Sequence, residues 1–357
     1  MSMATPLGGP FTHSGASISR TMTLVMAALL PATIFGLYQF GWPAIFLFLV
    51  TVVSAVLAEF LALRMAGKPV MPFISDGSAM LTGWLIAMSL PPWAPWWVGV
   101  LGSFIAILLA KHPFDGIGQN LFNPAMVART VLLISFPVEM TRFVAPMPLG
   151  SADAPGFISA LEITFGLGSH FDAMSSASFL GSVKTQLGQA ERLPDILASG
   201  YHPFALAFGT VSGSTGETSA LFLLAGGLFL LATRIISWHI PIAMIITMVA
   251  LSGIFHFIDP NHFLGPVMEL SSGTFIFATF FIATDYVTAP STPLGKLIFG
   301  AGVAALTFLI RTFAAYPEGV AFSILLMNAT VPIIDHTIRP RIYGRTRKGV
   351  PIQHKPK

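Results

Sequence analysis

GSAMLTGWLIAMSLPPW, residues Gly77–Trp93, is the stretch on which the fold turns. From Ser78 to Leu90 it carries no charge, and it stops at Pro91-Pro92, where a helix cannot continue. A run this apolar and this abruptly ended reads as an interrupted membrane helix. Interrupted helices survive in a bilayer only where protein or a cavity satisfies the freed backbone groups.

The rest of the 357-residue chain supports that reading. Its hydrophobic fraction is 54% and its charged fraction 9%, with a mean hydropathy of +0.78. A water-soluble domain carries about 25% charge, so this chain could not cover a wetted surface. The 33 Gly and 27 Pro fit as well, since both are commoner in membrane helices than in soluble ones. With no cysteine, the chain has no disulfide, no thiol catalysis and no cysteine-ligated iron–sulfur cluster. Any redox chemistry must use an organic cofactor or a partner's cluster. The N-terminal MSMATPLGGPFTHSGASISR lacks the basic segment and apolar core of a signal peptide and reads as a retained tail.

A span needs about 20 apolar residues. Ten candidates stand near 22–41, 43–63, 78–92, 95–112, 121–138, 218–236, 239–257, 273–289, 295–313 and 318–335. If the N-terminus is cytoplasmic and all ten cross, thirteen of the 18 Lys and Arg fall inside and four outside, with Arg129 within a helix. That asymmetry is the positive-inside pattern, and it predicts both termini in the cytoplasm, with the basic tail against anionic lipid. The expected organisation is a five-helix half over 1–138, an outer loop over 139–217, a second half over 218–335 and a cytoplasmic tail over 336–357.

The opening stretch also has an echo. GSAMLTGWLIA (Gly77–Ala87) aligns with GTFIFATFFIA (Gly273–Ala283) at an offset of 196, sharing Gly, Ile and Ala. Gly102 and Ala106 match Gly300 and Ala304 at 198, and Gly118 aligns with Gly319. Five helices per half is an odd number, so the repeats would be inverted in the membrane. The expected fold is therefore an all-α integral membrane protein of ten transmembrane helices in two inverted repeats, a transporter-like architecture.

Intramembrane ionisable residues are costly and are functional candidates by default. Glu59, Arg129 and Asp285 qualify, as an ion path or a cofactor environment; structural pairing near helix ends is the competing reading for Glu59 and Arg129. The stretch KHPFDGIGQNLFNPAM places an exposed Lys111, two glycines, Asn120 and Asn123 ahead of an Asn-Pro helix start, a setting for an anion or a flavin edge, or for a bare re-entrant turn. Ser214 and Glu217 are spaced as a capping box. His239 reads as interfacial. No hydrolase motif, P-loop or metal-ligand spacing is present, and a net charge of +3 without a basic soluble domain excludes nucleic acid.

One polar segment remains. FDAMSSASFL, Phe171–Leu180, lies in the long outer loop and holds Asp172, Ser175, Ser176 and Ser178. On residue types alone it is a solvated connector.

Resemblance changes that reading. GWLIAMSLPPWAPWWVGVLGSFIAILLAK, GQNLFNPAMVARTVLLISFP, FFIATDYVTAPSTPLGKLIFG and YPEGVAFSILLMNATVPIID are similar to segments of the D subunits of Rnf electron-transport complexes, relatives of the B subunit of the sodium-pumping NADH:quinone reductase. The resemblance covers about residue 15 to 345. It implies a non-autonomous subunit of an ion-translocating oxidoreductase of the bacterial inner membrane. Such a complex moves electrons between ferredoxin and NAD, coupled to transport of sodium ions or protons. It implies FMN, attached through its phosphate to a hydroxyl in a D-x-x-S-x-A-T motif by a flavin transferase. It also implies membrane, iron–sulfur and periplasmic flavin subunits as partners, and admits a second, noncovalent flavin. Here the motif is Asp172, Ser175, Ala177 and Ser178, with serine in place of the usual threonine. A serine oxygen can form the same phosphodiester, whereas a transferase that reads the methyl would reject it; Ser176 and Thr185 are the neighbouring hydroxyls. A non-redox transporter on the same scaffold and a structural subunit with a vestigial flavin site are the alternatives.

Overall fold

The computed structural model describes residues 17–114, 116–166, 175–189, 191–198, 203–217, 220–316 and 318–340. Helix α1 (Ile18–Met65) runs 48 residues. At about 1.5 Å per residue it would reach about 72 Å, more than twice a hydrocarbon core. It does not run straight. Gly41 has φ 72° and ψ −159°, a left-handed conformation that a side chain resists, and Pro43 follows. The predicted spans 22–41 and 43–63 meet at this break and fold back on each other. The Ser19 hydroxyl donates to the Ser75 carbonyl, while Glu59, near the other terminus of α1, meets Ser78 through Lys111.

Helix α2 (Ser78–Ser89) fills the cleft between the two arms. Its Trp84 Nε1 donates to Thr33 Oγ1 at 2.8 Å on one arm, and its ring meets Phe48 edge-on on the other at 5.1 Å. Gly83 sits where a Cβ would come within 2.7 Å of Ala55 Cβ, so the close approach requires glycine. Lipid outside is as apolar as leucine inside, so small residues and interhelical hydrogen bonds carry the packing. Ser103 donating to the Thr51 carbonyl at 2.8 Å is one such bond.

Helix α3 (Trp96–Phe104) continues as a π-helix through Ile105–Lys111. Helix α4 (Pro124–Ser135) starts at the Asn123 cap, whose Oδ1 accepts the Ala125 and Met126 N–H groups. Strand β1 (Phe143–Val144) pairs antiparallel with β2 (Ser175–Ser176), directly ahead of helix α5 (Phe179–Gly188). Next come α6 (Ala220–Ala232), α7 (His239–Ile258), α8 (Phe275–Phe277) with its π-helical extension Ala278–Ile282, α9 (Pro293–Phe313) and α10 (Val320–Thr337). Phe35 of α1 against Phe222 of α6, 5.3 Å between rings, joins the two halves of the chain.

Among the described residues, five helices are long and apolar enough to cross a bilayer: Ile18–Met65, Trp96–Phe114, His239–Ile258, Pro293–Phe313 and Val320–Thr337. The stretches expected near 78–92, 121–138 and 218–236 hold shorter helices of 12, 12 and 13 residues. Each reaches about 18–20 Å, well short of the roughly 30 Å hydrocarbon core. The causes are local: Pro91-Pro92 ends one, Asn123-Pro124 delays another, and the polar 212–217 segment precedes the third. Near 273–289 the helical residues end at Ile282, ahead of Asp285. Leu49, Val53 and Leu57 on α1, and Ile246 on α7, stay more than a third exposed, as lipid-facing side chains do.

Candidate functional site

Two polar clusters lie at opposite ends of the helices. The first is built where α1, α2 and α3 terminate. Lys111 Nζ donates to Glu59 Oε2 at 2.9 Å and to Ser78 Oγ at 2.8 Å. Lys111 is 3% exposed, so the sequence expectation of an exposed lysine is wrong: the π-helical end of α3 turns it inward onto Glu59. Next to this pair, Asn123 Nδ2 lies 3.5 Å from Asp285 Oδ2, which also accepts from Thr288 Oγ1 at 3.2 Å. Asn328 of α10 accepts the Asn123 N–H and donates to the Thr288 carbonyl. Asn120 is buried and its Oδ1 has no partner among the described residues. Ser78, Lys111, Asn120, Asn123 and Asp285 line one cavity of about 120 Å³. A carboxylate and two amides, one of them with an unmet oxygen, can hold a cation or the polar edge of a heterocycle.

The second cluster lies at the other end and contains Arg129, which the sequence reading grouped with Glu59 and Asp285. Arg129 pairs instead with Glu318, just ahead of α10. Glu318 also accepts from the Thr274 N–H and hydroxyl. Ser178 caps α5, its Oγ accepting the Gly181 N–H at 3.3 Å, and is itself buried. Ser178, Arg129, Glu217, Glu318, Thr141 and Phe143 line a single cleft. The Ser214 hydroxyl bonds to Glu217 Oε1 at 2.9 Å, and the Ser214 backbone N–H also bonds to the Glu217 carboxyl, the reach-back bond of the expected capping box. Burial, and then the neighbouring Glu318 charge, push the Glu217 carboxyl up to about 8.

Helix α5 is clamped in place. Lys184 Nζ donates to the carbonyls of Arg311, at 2.9 Å, of Ala314 and of Tyr316, satisfying the C-terminal end of α9. Arg311 in turn donates to Glu269 Oε2 at 2.9 Å and to the Ser272 carbonyl at 3.1 Å. Of the remaining motif residues, Ser175 lies opposite Val144 in the two-stranded pairing, Ala177 is exposed, and Asp172 lies outside the described residues. The Thr185 hydroxyl is committed to the Gly181 carbonyl. Sequence reasoning missed Glu318, Glu269, Arg311 and Asn328. Glu318 and Arg129 are 189 residues apart, and no local spacing signals such a pair.

Known proteins resemble this chain from end to end. Residues 7–344 match the model of the NQR2, RnfD, RnfE family. The chain is 47% identical over 350 residues to the D subunit of the ion-translocating oxidoreductase complex of Halorhodospira halophila, covering 98% of each chain. It is 53% identical over 308 residues to the protein of the same name from Rhodobacter capsulatus, covering 86% of each. To that of Stutzerimonas stutzeri it is 48% identical over 336 residues, covering 94% of this chain and 95% of the relative. With apolar helices of span length and similarity of this extent, the chain belongs to the NQR2, RnfD, RnfE family of membrane proteins.

Proposed function

We propose that this chain is the membrane subunit of an Rnf-type complex, carrying FMN in covalent linkage at Ser178. In that role it takes part in electron transfer between ferredoxin and NAD, coupled to translocation of sodium ions or protons. The observation that carries the reading is the position of Ser178. Its hydroxyl stands at the N-terminus of a ten-residue helix, in a cleft shared with the Arg129 guanidinium. Helix N-terminal N–H groups and a guanidinium both favour a phosphate. The fit is chemical as well: an esterified Oγ keeps a lone pair for the Gly181 N–H, so attachment need not unwind the cap. When bound, FMN supplies one- and two-electron redox chemistry. The chain's own contribution is to hold the attachment point rigidly, through Lys184 of α5 gripping the end of α9 and through the β1–β2 pairing. Glu217, which keeps its proton at neutral pH, leaves the Arg129–Glu318 pair beside Ser178 close to charge balance.

In this proposal the two halves are inverted repeats in a bacterial inner membrane, with both termini cytoplasmic. Its support is a matched pair of buried ion locks. Lys111 at the end of α3 bonds Glu59 and reaches Ser78. Arg311, in the corresponding place near the end of α9, bonds Glu269 and reaches Ser272. The two locks sit at opposite ends of the molecule, as an inversion requires. The cavity at Asp285 and Asn120 is the place proposed for the ion path or for a second, noncovalent flavin. The flavin transferase and the membrane, iron–sulfur and periplasmic flavin subunits are its proposed partners.

The test is direct. Protein expressed with its flavin transferase should give a fluorescent band under ultraviolet light in a denaturing gel. Ser178→Ala should abolish the band at equal protein level, and Ser178→Thr should keep it. A band that survives Ser178→Ala rejects this attachment site.

A further inference from the structure

A cleft of about 820 Å³ opens at the end of the molecule where Glu59 and Lys111 meet, between the α6–α7 turn, the 284–291 segment and the start of α9. The residues on it are unusual for this chain. Arg234 has φ 57° and is the one non-glycine residue with positive φ among the described residues. It is the αL position of a Schellman cap on α6, its N–H bonded to the Leu231 carbonyl and the Ile235 N–H to the Leu230 carbonyl, which holds Arg234 at the cleft. Lys296 also lines the cleft, and its ammonium reaches only the Ser237 hydroxyl, at 3.3 Å, among the described residues. Neither cation forms an ion pair among the described residues, although two carboxylates border the same cleft. Asp335 is occupied by the Ser291 N–H and hydroxyl, both at 3.1 Å. Asp285 is occupied by Thr288 and Asn123.

The walls differ from the mouth. Ile235, Ile236 and Ile240 give an apolar side, while Trp238 and Tyr286 stand 52% and 59% exposed at the opening. Exposed Trp and Tyr beside an apolar wall is the composition of a membrane–water boundary. Beside Trp238, and stacked on it with 4.1 Å between rings, His239 buries an Nδ1 that has no partner among the described residues. This end is also the basic one: Arg20, Arg64, Lys68 and Arg339 lie at helix ends here, where the membrane's anionic leaflet is expected.

We propose that this cleft binds the phosphate headgroup of an anionic phospholipid, with Arg234 and Lys296 as its two cationic contacts and an acyl chain along the Ile235–Ile240 wall. Two cations in no ion pair among the described residues supply the charge recognition, and the apolar wall selects an amphiphile over a free anion. The site is separate from Ser178 but adjoins the cavity proposed for an ion path or second flavin, sharing Asp285 with it.

The experiment uses the full chain in mild detergent. Native mass spectrometry counts bound lipid during titration with phosphatidylglycerol, with phosphatidylcholine of matched chains, and with phosphatidylglycerol in the presence of excess inorganic phosphate. Phosphatidylglycerol should bind about tenfold or more tightly than phosphatidylcholine. Arg234→Gln with Lys296→Gln should erase that preference, while Arg20→Gln with Arg64→Gln at the same end should not. Arg234→Gly relaxes the backbone and removes one charge, so it should lower the preference in a protein at least as stable as the wild type. A preference that survives the Arg234→Gln/Lys296→Gln change overturns the proposal, as does displacement of the lipid by phosphate alone or a flavin recovered from this cleft.

Discussion

Glu217 carries the clearest pH signature in the molecule. Its carboxyl is raised from 4.5 to about 8, first by burial and then by Glu318. A carboxyl whose folded value exceeds its unfolded one binds its proton more tightly when folded. The stability it contributes is complete below 4.5 and is lost as pH climbs through about 8. The thermal midpoint of the wild-type protein should therefore fall between about pH 5 and about pH 9. In Glu217→Gln that fall should be visibly shallower, measured by scanning fluorimetry in detergent; parallel profiles would show that Glu217 does not set it. At this scale the sequence was partly legible. Glu59, Asn120, Asn123 and Asp285 are brought to one end of the helices, around one cavity and its Lys111 lining. For Arg129 structural pairing was legible but the partner was not, because Glu318 lies 189 residues further along the chain. Lys111 was misread because a basic residue next to HPF looks like a loop residue, whereas the π-helical turn carries it into the protein.

Helix α5 is the element on which the proposed chemistry depends, and one side chain secures it. Lys184 makes three donations to carbonyls at the end of α9. Charge-assisted bonds contribute about 1.5–3 kcal/mol each, and the orphan carbonyls would lose their partner as well. Lys184→Met keeps the aliphatic stem and removes the donor. It should raise amide exchange across 179–188 by roughly tenfold or more while α9 away from its last turn stays protected. Unchanged exchange would show that the hydrophobic contacts of Phe179, Leu180 and Val183 hold the helix alone. Helix positions were readable in the sequence from apolar runs and from Pro91-Pro92 and Asn123-Pro124. Their lengths were not, because hydropathy continues past the last hydrogen-bonded turn. The break at Gly41 was legible only as a gap between spans, since the left-handed φ has no hydropathy signal.

Across the whole molecule, charge is unevenly sorted by end. Arg20, Arg64, Lys68, Lys111, Arg234 and Lys296 gather at one end with fewer carboxylates, Glu59, Asp285 and Asp335 among them, and Glu139, Glu217, Asp259, Glu269 and Glu318 lie at the other with Arg129, Lys184 and Arg311. That sorting is the most sequence-visible property of the fold, because it needs only the order of spans and loops. The proposed inversion of the halves was far less visible. A handful of matched Gly, Ile and Ala hints at it, but the ion locks that support it use different residues, Lys111 with Glu59 and Arg311 with Glu269. The absence of native cysteine makes the topology easy to test. Ala177→Cys should react with a membrane-impermeant maleimide from the periplasmic side of intact cells, and Gly67→Cys only after lysis. The reverse pattern would overturn the proposed orientation.

Whether Ser178 bears the flavin is decided most directly by peptide mass spectrometry across 171–184 of protein made with its flavin transferase. That peptide should be heavier by one FMN less one water, with fragmentation placing the addition on Ser178. An unmodified peptide, or an addition on Ser176 or elsewhere, would contradict the assignment.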